Sequence, residues 1–542
     1  MEQKSKKGGF VMQAAILAAA GLITRVIGLL YGVPLTRIIG DLGNGYYSTA
    51  YNLYVIILMV ASYGIPTAVS KIISAKLVLK EYKNAYRILK CSLFYVILMG
   101  GIAALITFKF APYLVEAREV VPALKVLAPT IFFSGLLSVF RGYMQAHGTM
   151  IPTSVSQICE QIVNACVSVG AAYFLSTSVV ALTSAEANAP QMYGAAGAAM
   201  GTGAGVVTAL LVVFIFFSKN FKNERKLVAA DTKKEDSYGT IMKMLILMVT
   251  PVILSTLLYN ISTVLDMKFF YMVMDMKNVP DVEYITLYGI FARKYTVLVN
   301  VPIALATAMS SAMIPGISGS FELGDKKGAC EKLARALRFT MTISIPAAVG
   351  MAVLSKPIMD LLFPGSRPVA YRLLTLGAIT VLFYGVSTVT NGALQGIGKV
   401  NIPMINSAIS LVVHLIFMIV ILYITDLQLY GILLATILYS GMMCVLNQRA
   451  IRKYLGYKQE FKQTFFEPIL ASVVMGAVTF FSYRLVYMIC PSNALSMMVS
   501  VIFSVVIYFI MLLKVGSFTE DELKAFPKGG LIVRIAKKLK LI

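Results

Sequence analysis

The feature that most constrains this chain is the recurrence of apolar runs, each about 20 residues or longer, from its first helix almost to residue 515. At 1.5 Å per helical residue, such a run crosses a hydrocarbon core of roughly 30 Å. Within that core every backbone N–H and C=O must be paired inside the protein, so long unbroken runs must be helices. The runs fall at 10–40, 46–74, 86–110, 122–146, 153–176, 192–217, 240–272, 285–316, 333–355, 369–395, 402–425, 428–448, 464–488 and 494–514. The expected fold is therefore an all-α integral membrane protein of about 14 transmembrane helices. With 58% hydrophobic and only 13% charged residues, the chain has too little polar surface for soluble domains. The first run follows Lys4, Lys6 and Lys7 like a signal peptide, but it continues to Gly40 without a long polar break, which predicts an uncleaved span.

The formal net charge of +23 does not point to nucleic acid, because Lys and Arg sit in short segments between apolar runs instead of on one soluble face. They read as topology signals, since short cytoplasmic loops are the ones enriched in these residues. An inside N-terminus places Lys76, Lys80, Lys83, Arg87 and Lys90 inside, then Lys219 to Lys234, Lys326 to Arg338, and Arg449 to Lys462. The alternate loops carry mainly acids, among them Asp41, Glu116, Glu186, Asp281 and Asp426. Only the loop near Lys356, Asp360 and Arg367 gives no clear sign. Both termini are thus expected in the cytoplasm, with the multi-pass body in the membrane. The six cysteines lie in or beside apolar runs without CxxC spacing, which predicts buried free thiols.

The longest polar stretch between spans divides the chain. The expected organisation is an N-terminal lobe at 1–218 holding spans one to six, a basic cytoplasmic linker at 219–238, and a C-terminal lobe at 239–453 holding spans seven to twelve. Spans thirteen and fourteen follow at 454–515, and a basic amphipathic tail at 516–542 lies on the inner leaflet. An internal repeat supports two lobes. Gly135, Ser138, Gly142, Gln145 and Gly148 recur as Gly385, Thr388, Gly392, Gln395 and Gly398, with Pro152 and Pro403 following. A second stretch from Ile73 to Ala85 resembles Ile317 to Ala329. By the loop count both copies lie on the same side of the membrane, which implies parallel repeats. Close helix packing is the simplest role for the repeated glycines, with a hinge or substrate role as the alternative. Pro34, Pro66, Pro251, Pro302 and Pro346 lie inside apolar runs, where they bend helices and free carbonyls that need a protein or water neighbour.

A charge at the centre of a span costs on the order of 2.5–3.5 kcal/mol even on lenient insertion scales, so intramembrane charges should face a cavity or a partner. Arg25 lies mid-span in the first run, with Arg37 near its external end; Glu160 lies in span five, Asp266 and Lys268 in span seven, and Arg293 and Lys294 in span eight. Guanidinium suits phosphate, because its planar fork hydrogen-bonds two oxygens and stays charged. Arg25, Arg293, Lys294 and Arg37 are accordingly the candidate ligands for an anionic substrate, Arg37 also serving as a snorkelling anchor. The alternative is that Arg25 or Arg293 pairs with Glu160 or Asp266. Asp266, two turns from Asn260 and one from Thr263, is expected to place oxygen ligands on one helical face of span seven for a coupling Na+ or H+. No phosphate-binding P-loop, zinc spacing or Ser/His/Asp set is present, so a transporter is expected, with no cofactor.

The segment TRVIGLLYGVPLTRIIGDLGNGYYSTAYNLY, residues 24–54, resembles the opening of the polysaccharide and lipid-linked-precursor exporters of the multidrug/oligosaccharidyl-lipid/polysaccharide superfamily. The resemblance extends over nearly the whole chain, through the basic linker and the GxxQxxG segments. It is nearest to the stage V sporulation protein B branch, which is similar to the lipid II flippases of peptidoglycan synthesis. That family implies alternating access by two lobes around a cationic cavity, carrying an undecaprenyl-diphosphate-linked sugar to the outer leaflet. The resemblance makes the lipid-linked oligosaccharide, the bilayer and cell-wall synthesis proteins the expected partners. Arg25 matches the family's first-helix cavity arginine, and Arg293 or Lys294 the cavity cation of span eight. Tyr31 stands where many lipid II flippases carry a second arginine. Asp266 aligns with a position resembling a cation ligand in some members.

Overall fold

The computed structural model describes residues 2–182, 188–516 and 534, and among these every regular element is helical. The helices are α1 (Glu2–Leu58), α2 (Ile65–Val78), α3 (Tyr82–Leu114), α4 (Val121–Ala146), α5 (Ile151–Leu182), α6 (Ala189–Ala230), α7 (Tyr238–Met276), α8 (Asp281–Ile290) and α9 (Thr296–Glu322). They continue as α10 (Lys326–Val353), α11 (Ser355–Leu362), α12 (Pro368–Gly377), α13 (Thr380–Gly396), α14 (Asn401–Ile424), α15 (Leu429–Leu455), α16 (Glu467–Ile489) and α17 (Asn493–Val515). The proposed amphipathic tail, apart from Arg534, and the loop carrying Glu186 lie outside the described residues.

Among the described residues, eleven helices are long and apolar enough to cross a membrane, and twelve if the bent pair α12–α13, angled at 46°, is one broken span. The first of them, Ala19–Val78, contains 60 residues, and at 1.5 Å each these extend about 90 Å, three times the hydrocarbon thickness. It breaks at Gly40, whose φ of 67° and ψ of −175° are not helical, and again at a π-helical turn over Met59–Tyr63 ahead of Pro66. The expected fourteen exceeds this count because Ala19–Val78 stands as one candidate and the 39-residue α7 contributes only the shorter apolar stretch Tyr238–Thr250. Large apolar side chains such as Leu105, Phe174 and Ile416 are more than half exposed because lipid, not protein, covers them.

The chain forms two compact units, Met1–Arg293 and Lys294–Ile542. In the first, a core of Ile65, Val69, Ile73, Ile88, Val96, Val139, Tyr143, Val206 and Val213 ties α2, α3, α4 and α6 together. In the second, Ile317, Leu333, Leu337, Met341, Val389, Leu394 and Ile451 do the same for α9, α10, α13 and α15. The linker after α6 folds back on the first unit. Asp231 accepts the backbone N–H groups of Lys83 and Lys233, both at 2.9 Å, and these hold its carboxyl below the ordinary range. Asn84 donates to the Lys234 carbonyl at 3.0 Å and accepts from the Asp236 N–H at 2.8 Å. Lys76 pairs with Glu81 at 2.7 Å and with Asp236 at 2.6 Å, and Arg87 pairs with Glu235. Where α4 meets its turn, His147 Nε2 lies 2.9 Å from Glu224, which also accepts from the Tyr143 hydroxyl. His147 therefore has an ionic partner as well as packing contacts.

The sequence repeat is a repeated structure within each unit. Gly148 and Gly398 take φ values of 76° and 75° and end α4 and α13 alike, each N–H bonding the carbonyl three residues back, Gln145 or Gln395, at 3.0 Å. Left-handed backbone of this kind costs a non-glycine residue roughly 1–2 kcal/mol. Gly142 lets α4 approach α2 so closely that a Cβ would meet the Pro66 carbonyl oxygen at 2.7 Å, and Gly392 lets α13 approach α9, where a Cβ would meet the Ser310 hydroxyl at 2.1 Å. In the first unit α1 and α8 also approach closely. A Cβ on Gly45 would meet the Ile285 carbonyl at 2.3 Å, and one on Gly289 would meet the Asp41 carbonyl at 2.3 Å.

Candidate functional site

Arg293 lies one helical turn beyond Gly289, at the i+4 position that shares its face. The glycine contact between α1 and α8 therefore brings the Arg293 guanidinium over the Tyr47 ring, 4.2 Å from its centroid. A π-helical turn over Phe291–Tyr295 carries Arg293 and Lys294, and such turns insert one residue and re-aim those beside it. Arg293 turns into a cavity of about 530 Å³ inside the first unit. Its α1 wall is Tyr31, Tyr47, Tyr51 and Tyr54; its α4 and α5 wall includes Ser134, Arg141, Gln145, Gln157, Glu160 and Asn164.

Tyr51 packs its ring at a tilt against Tyr47 and Tyr54, with centroids 5.7 and 5.8 Å apart. Their hydroxyls meet polar partners: Tyr47 with Thr202 at 3.2 Å, Tyr54 with Ser134 at 3.3 Å, and Tyr31 accepting from Asn164 at 3.3 Å. On the opposite wall α4 and α5 form an antiparallel hairpin. Arg141 and Ser156 stand equally far from its turn, so Arg141 Nε donates to the Ser156 hydroxyl at 3.0 Å, while its Nη2 reaches one turn further to Glu160 at 2.8 Å. Gln145 donates to Thr153 at 3.3 Å, and the buried Gln157 Oε1 has no hydrogen-bond partner among the described residues. The lining thus carries two guanidiniums against one carboxylate, amid hydroxyls and amides.

Of the residues singled out by sequence, the structure brings Arg293, Glu160 and Gln145 to this cavity. Lys294 turns the other way, is 3% exposed, and donates to the Ser366 hydroxyl at 2.7 Å inside the second unit. Arg25 and Arg37 are exposed on α1 and do not line the cavity; Arg25 and Arg293 belong to the same unit. Glu160 pairs with Arg141, not with Arg25 or Arg293. Asp266 is half-buried on α7 beside Tyr288, whose hydroxyl accepts from Asn52 at 2.9 Å and donates to the Thr263 carbonyl at 3.4 Å. The side chain of Thr263 is exposed, and that of Asn260 lies outside the described residues. Among the described residues no three His, Cys, Asp or Glu side chains group as a metal site. Gln395, the counterpart of Gln145, is exposed.

Residues 10–321, more than half of the chain, match the family described as polysaccharide biosynthesis protein. The chain belongs to that family. Residues 251–420 also match the MatE family. Among curated relatives, the chain is 26% identical over 501 residues to the lipid II flippase MurJ of Bacillus subtilis (strain 168), with 88% of each chain covered. It is 24% identical over 541 residues to stage V sporulation protein B of the same organism, covering 97% of this chain and 100% of that one. Among solved structures, a lipid II flippase MurJ in an inward closed conformation superposes with a TM-score of 0.65 at 17% identity, over 92% of this chain and 98% of that one. An inward-facing MATE family transporter of the multidrug/oligosaccharidyl-lipid/polysaccharide superfamily gives 0.63 at 14% identity, over 82% and 98%. This member of the polysaccharide biosynthesis family is thus a multi-pass protein of the bacterial plasma membrane with the fold of that transporter superfamily.

Sequence reasoning passed over Arg141, although this member of the family carries it directly before Gly142 of the repeat. Its signal was present: an arginine within span four and a glutamate within span five are equally costly alone, and a hairpin between them brings both to one level. The tyrosine wall was less legible. Tyr47, Tyr51 and Tyr54 follow a helical spacing, but the same spacing fits lipid-facing aromatics.

Proposed function

We propose that this protein is a flippase that carries an undecaprenyl-diphosphate-linked peptidoglycan precursor, lipid II, from the inner to the outer leaflet by alternating access. The observation that carries this reading is the cavity of the first unit, where two arginines outnumber one carboxylate that is already paired. A diphosphate is the anion such a site suits, since guanidinium holds phosphate oxygens two at a time. The amides and hydroxyls around it offer hydrogen bonds to a sugar-peptide headgroup, and the lipid tail stays in the bilayer. Kinship with the Bacillus subtilis lipid II flippase over 88% of both chains supports the substrate. Arg25, on the same helix as the tyrosine wall, engages the headgroup at another stage of the cycle. Asp266 serves as the site of a coupling Na+ or H+. An inside-negative potential favours outward movement of the headgroup by roughly 2.3 kcal/mol per charge per 100 mV.

A second reading, transport of another lipid-linked glycan, is favoured by Tyr31 in place of a second arginine and by kinship with stage V sporulation protein B. A drug or cation antiporter fits poorly, because the cavity's one acid is occupied by Arg141. The test is lipid II translocation in cells depleted of their other flippases, with wild type, Arg25→Ala and Arg293→Ala at matched membrane levels. Restoration by wild type and its loss in Arg293→Ala are expected. A well-folded wild type that moves no lipid II removes that substrate and leaves the other glycan.

A further inference from the structure

The hairpin of α4 and α5 has a sister in the second unit, α13 and α14, which carries the same glycines and the same turn. In the sister hairpin Asn391 replaces Arg141, and past the turn Ala408, Leu411, Val412 and Leu415 replace Gln157, Glu160, Gln161 and Asn164. Asn391 there accepts from Asn447 at 2.7 Å. The hairpin therefore folds without an ion pair, and the charges of the first copy call for another explanation.

The pair itself is loosely made. Glu160 binds Arg141 through one oxygen only, and two of the five guanidinium N–H groups are used, one on Ser156 and one on Glu160. A pair that holds helices together in an apolar interior needs close to full satisfaction to offset its desolvation. Here both side chains line the cavity and keep 16% and 23% exposure. On the same wall the carbonyl of Gln157 is buried without a donor, one turn from Glu160. These are features of a site prepared for an incoming group that brings both an anion and hydrogen-bond donors.

We propose that Glu160 is a resident counter-anion that the substrate's diphosphate displaces, so that Arg141 becomes the second anion-binding cation of the cavity beside Arg293, and Gln157 accepts a hydroxyl or N–H of the headgroup. This inference rests on the flippase reading and specifies how its site is filled. Arg141, Arg293 and Glu160 together give the cavity lining a net charge of +1, so the resident carboxylate limits the cost of exposing two cations to a low-dielectric space. The substrate trades places with Glu160 instead of adding to it. Because Glu160 competes with the ligand, its removal should strengthen binding, whereas a structural pair would lose binding on removal of either partner.

The experiment is equilibrium binding of undecaprenyl diphosphate to detergent-purified full-length protein, for wild type, Glu160→Gln, Glu160→Leu, Arg141→Gln and the Arg141→Gln/Glu160→Gln double variant. Glu160→Leu installs the side chain of the sister hairpin, so it remains informative if the glutamine variant folds poorly. Thermal unfolding of each variant monitors folding. The expected result is binding about tenfold tighter in both Glu160 variants and about tenfold weaker in Arg141→Gln, the double variant resembling Arg141→Gln, as for loss of one charged partner. Weaker binding in folded Glu160 variants would overturn the proposal while leaving the flippase reading intact. Absence of binding to wild type would remove the flippase reading, and this inference with it.

Discussion

Substituting Gly289 by Ala tests whether the close approach of α1 and α8 sets the cavity. The added Cβ would sit 2.3 Å from the Asp41 carbonyl oxygen and 2.6 Å from the Gly45 nitrogen. Both are backbone atoms of another helix, so no rotamer change relieves the clash. Restoring an ordinary contact of 3.4 Å requires the helices to part by about 1.1 Å at this level. Overpacking of this size costs typically 1–3 kcal/mol. Arg293 is one turn away, and the same displacement lifts its guanidinium from 4.2 Å over Tyr47. The expected outcome in purified protein is a lower unfolding temperature at unchanged helix content, together with undecaprenyl diphosphate binding at least about fivefold weaker, the order of a 1 kcal/mol loss. Wild-type stability and wild-type binding in Gly289→Ala would refute the claim that this glycine contact positions Arg293.

Lys294→Ala removes a charged donor from Ser366 inside the second unit and should lower stability by about 1.5–3 kcal/mol, whereas Arg293→Ala should abolish translocation with little loss of stability; thermal unfolding beside the translocation assay separates the two. Gly142→Ala meets the backbone of Pro66 and should cost more than Gly392→Ala, which meets a serine hydroxyl able to turn aside at the loss of one hydrogen bond of about 1 kcal/mol; relative unfolding temperatures decide it. Burial alone would lower the His147 pKa, but Glu224 and the Tyr143 carbonyl outweigh it and raise it above its ordinary 6.5. Burial likewise works to raise Glu224, yet His147 and the Tyr143 hydroxyl hold it below 4.5. The raised histidine contributes stability that is complete below pH 6.5 and lost as pH rises through its folded value; the lowered glutamate contributes above pH 4.5 and loses it as pH falls through its own. The stability advantage of wild type over His147→Gln should therefore be largest between these values and shrink as pH is raised towards about 9. A constant difference across that range would show that the contact is not ionic.

Much of the architecture was legible because lipid imposes a one-dimensional rule. A helix must be about 20 apolar residues long wherever it crosses, whatever its neighbours, so the runs at 86–110 or 402–425 appear in the sequence as they appear in α3 and α14. The repeat was legible for a similar reason: Gly148 and Gly398 serve backbone geometry that is local to each turn. The site was only partly legible. That Arg293 and Glu160 stand where charge is expensive follows from position along the span, but which partner each meets depends on how helices turn about their axes. That rotation is set by contacts between residues far apart in sequence, Gly45 against Gly289 and Gly142 against Pro66. They send Arg293 into the cavity and leave Lys294, its neighbour in sequence, bonded to Ser366. They also give Glu160 to Arg141. Sequence by itself determined that the charges need company in the membrane, because desolvation penalises each one alone; only the tertiary packing, through the angle at which each helix presents its face, decided which company each one keeps.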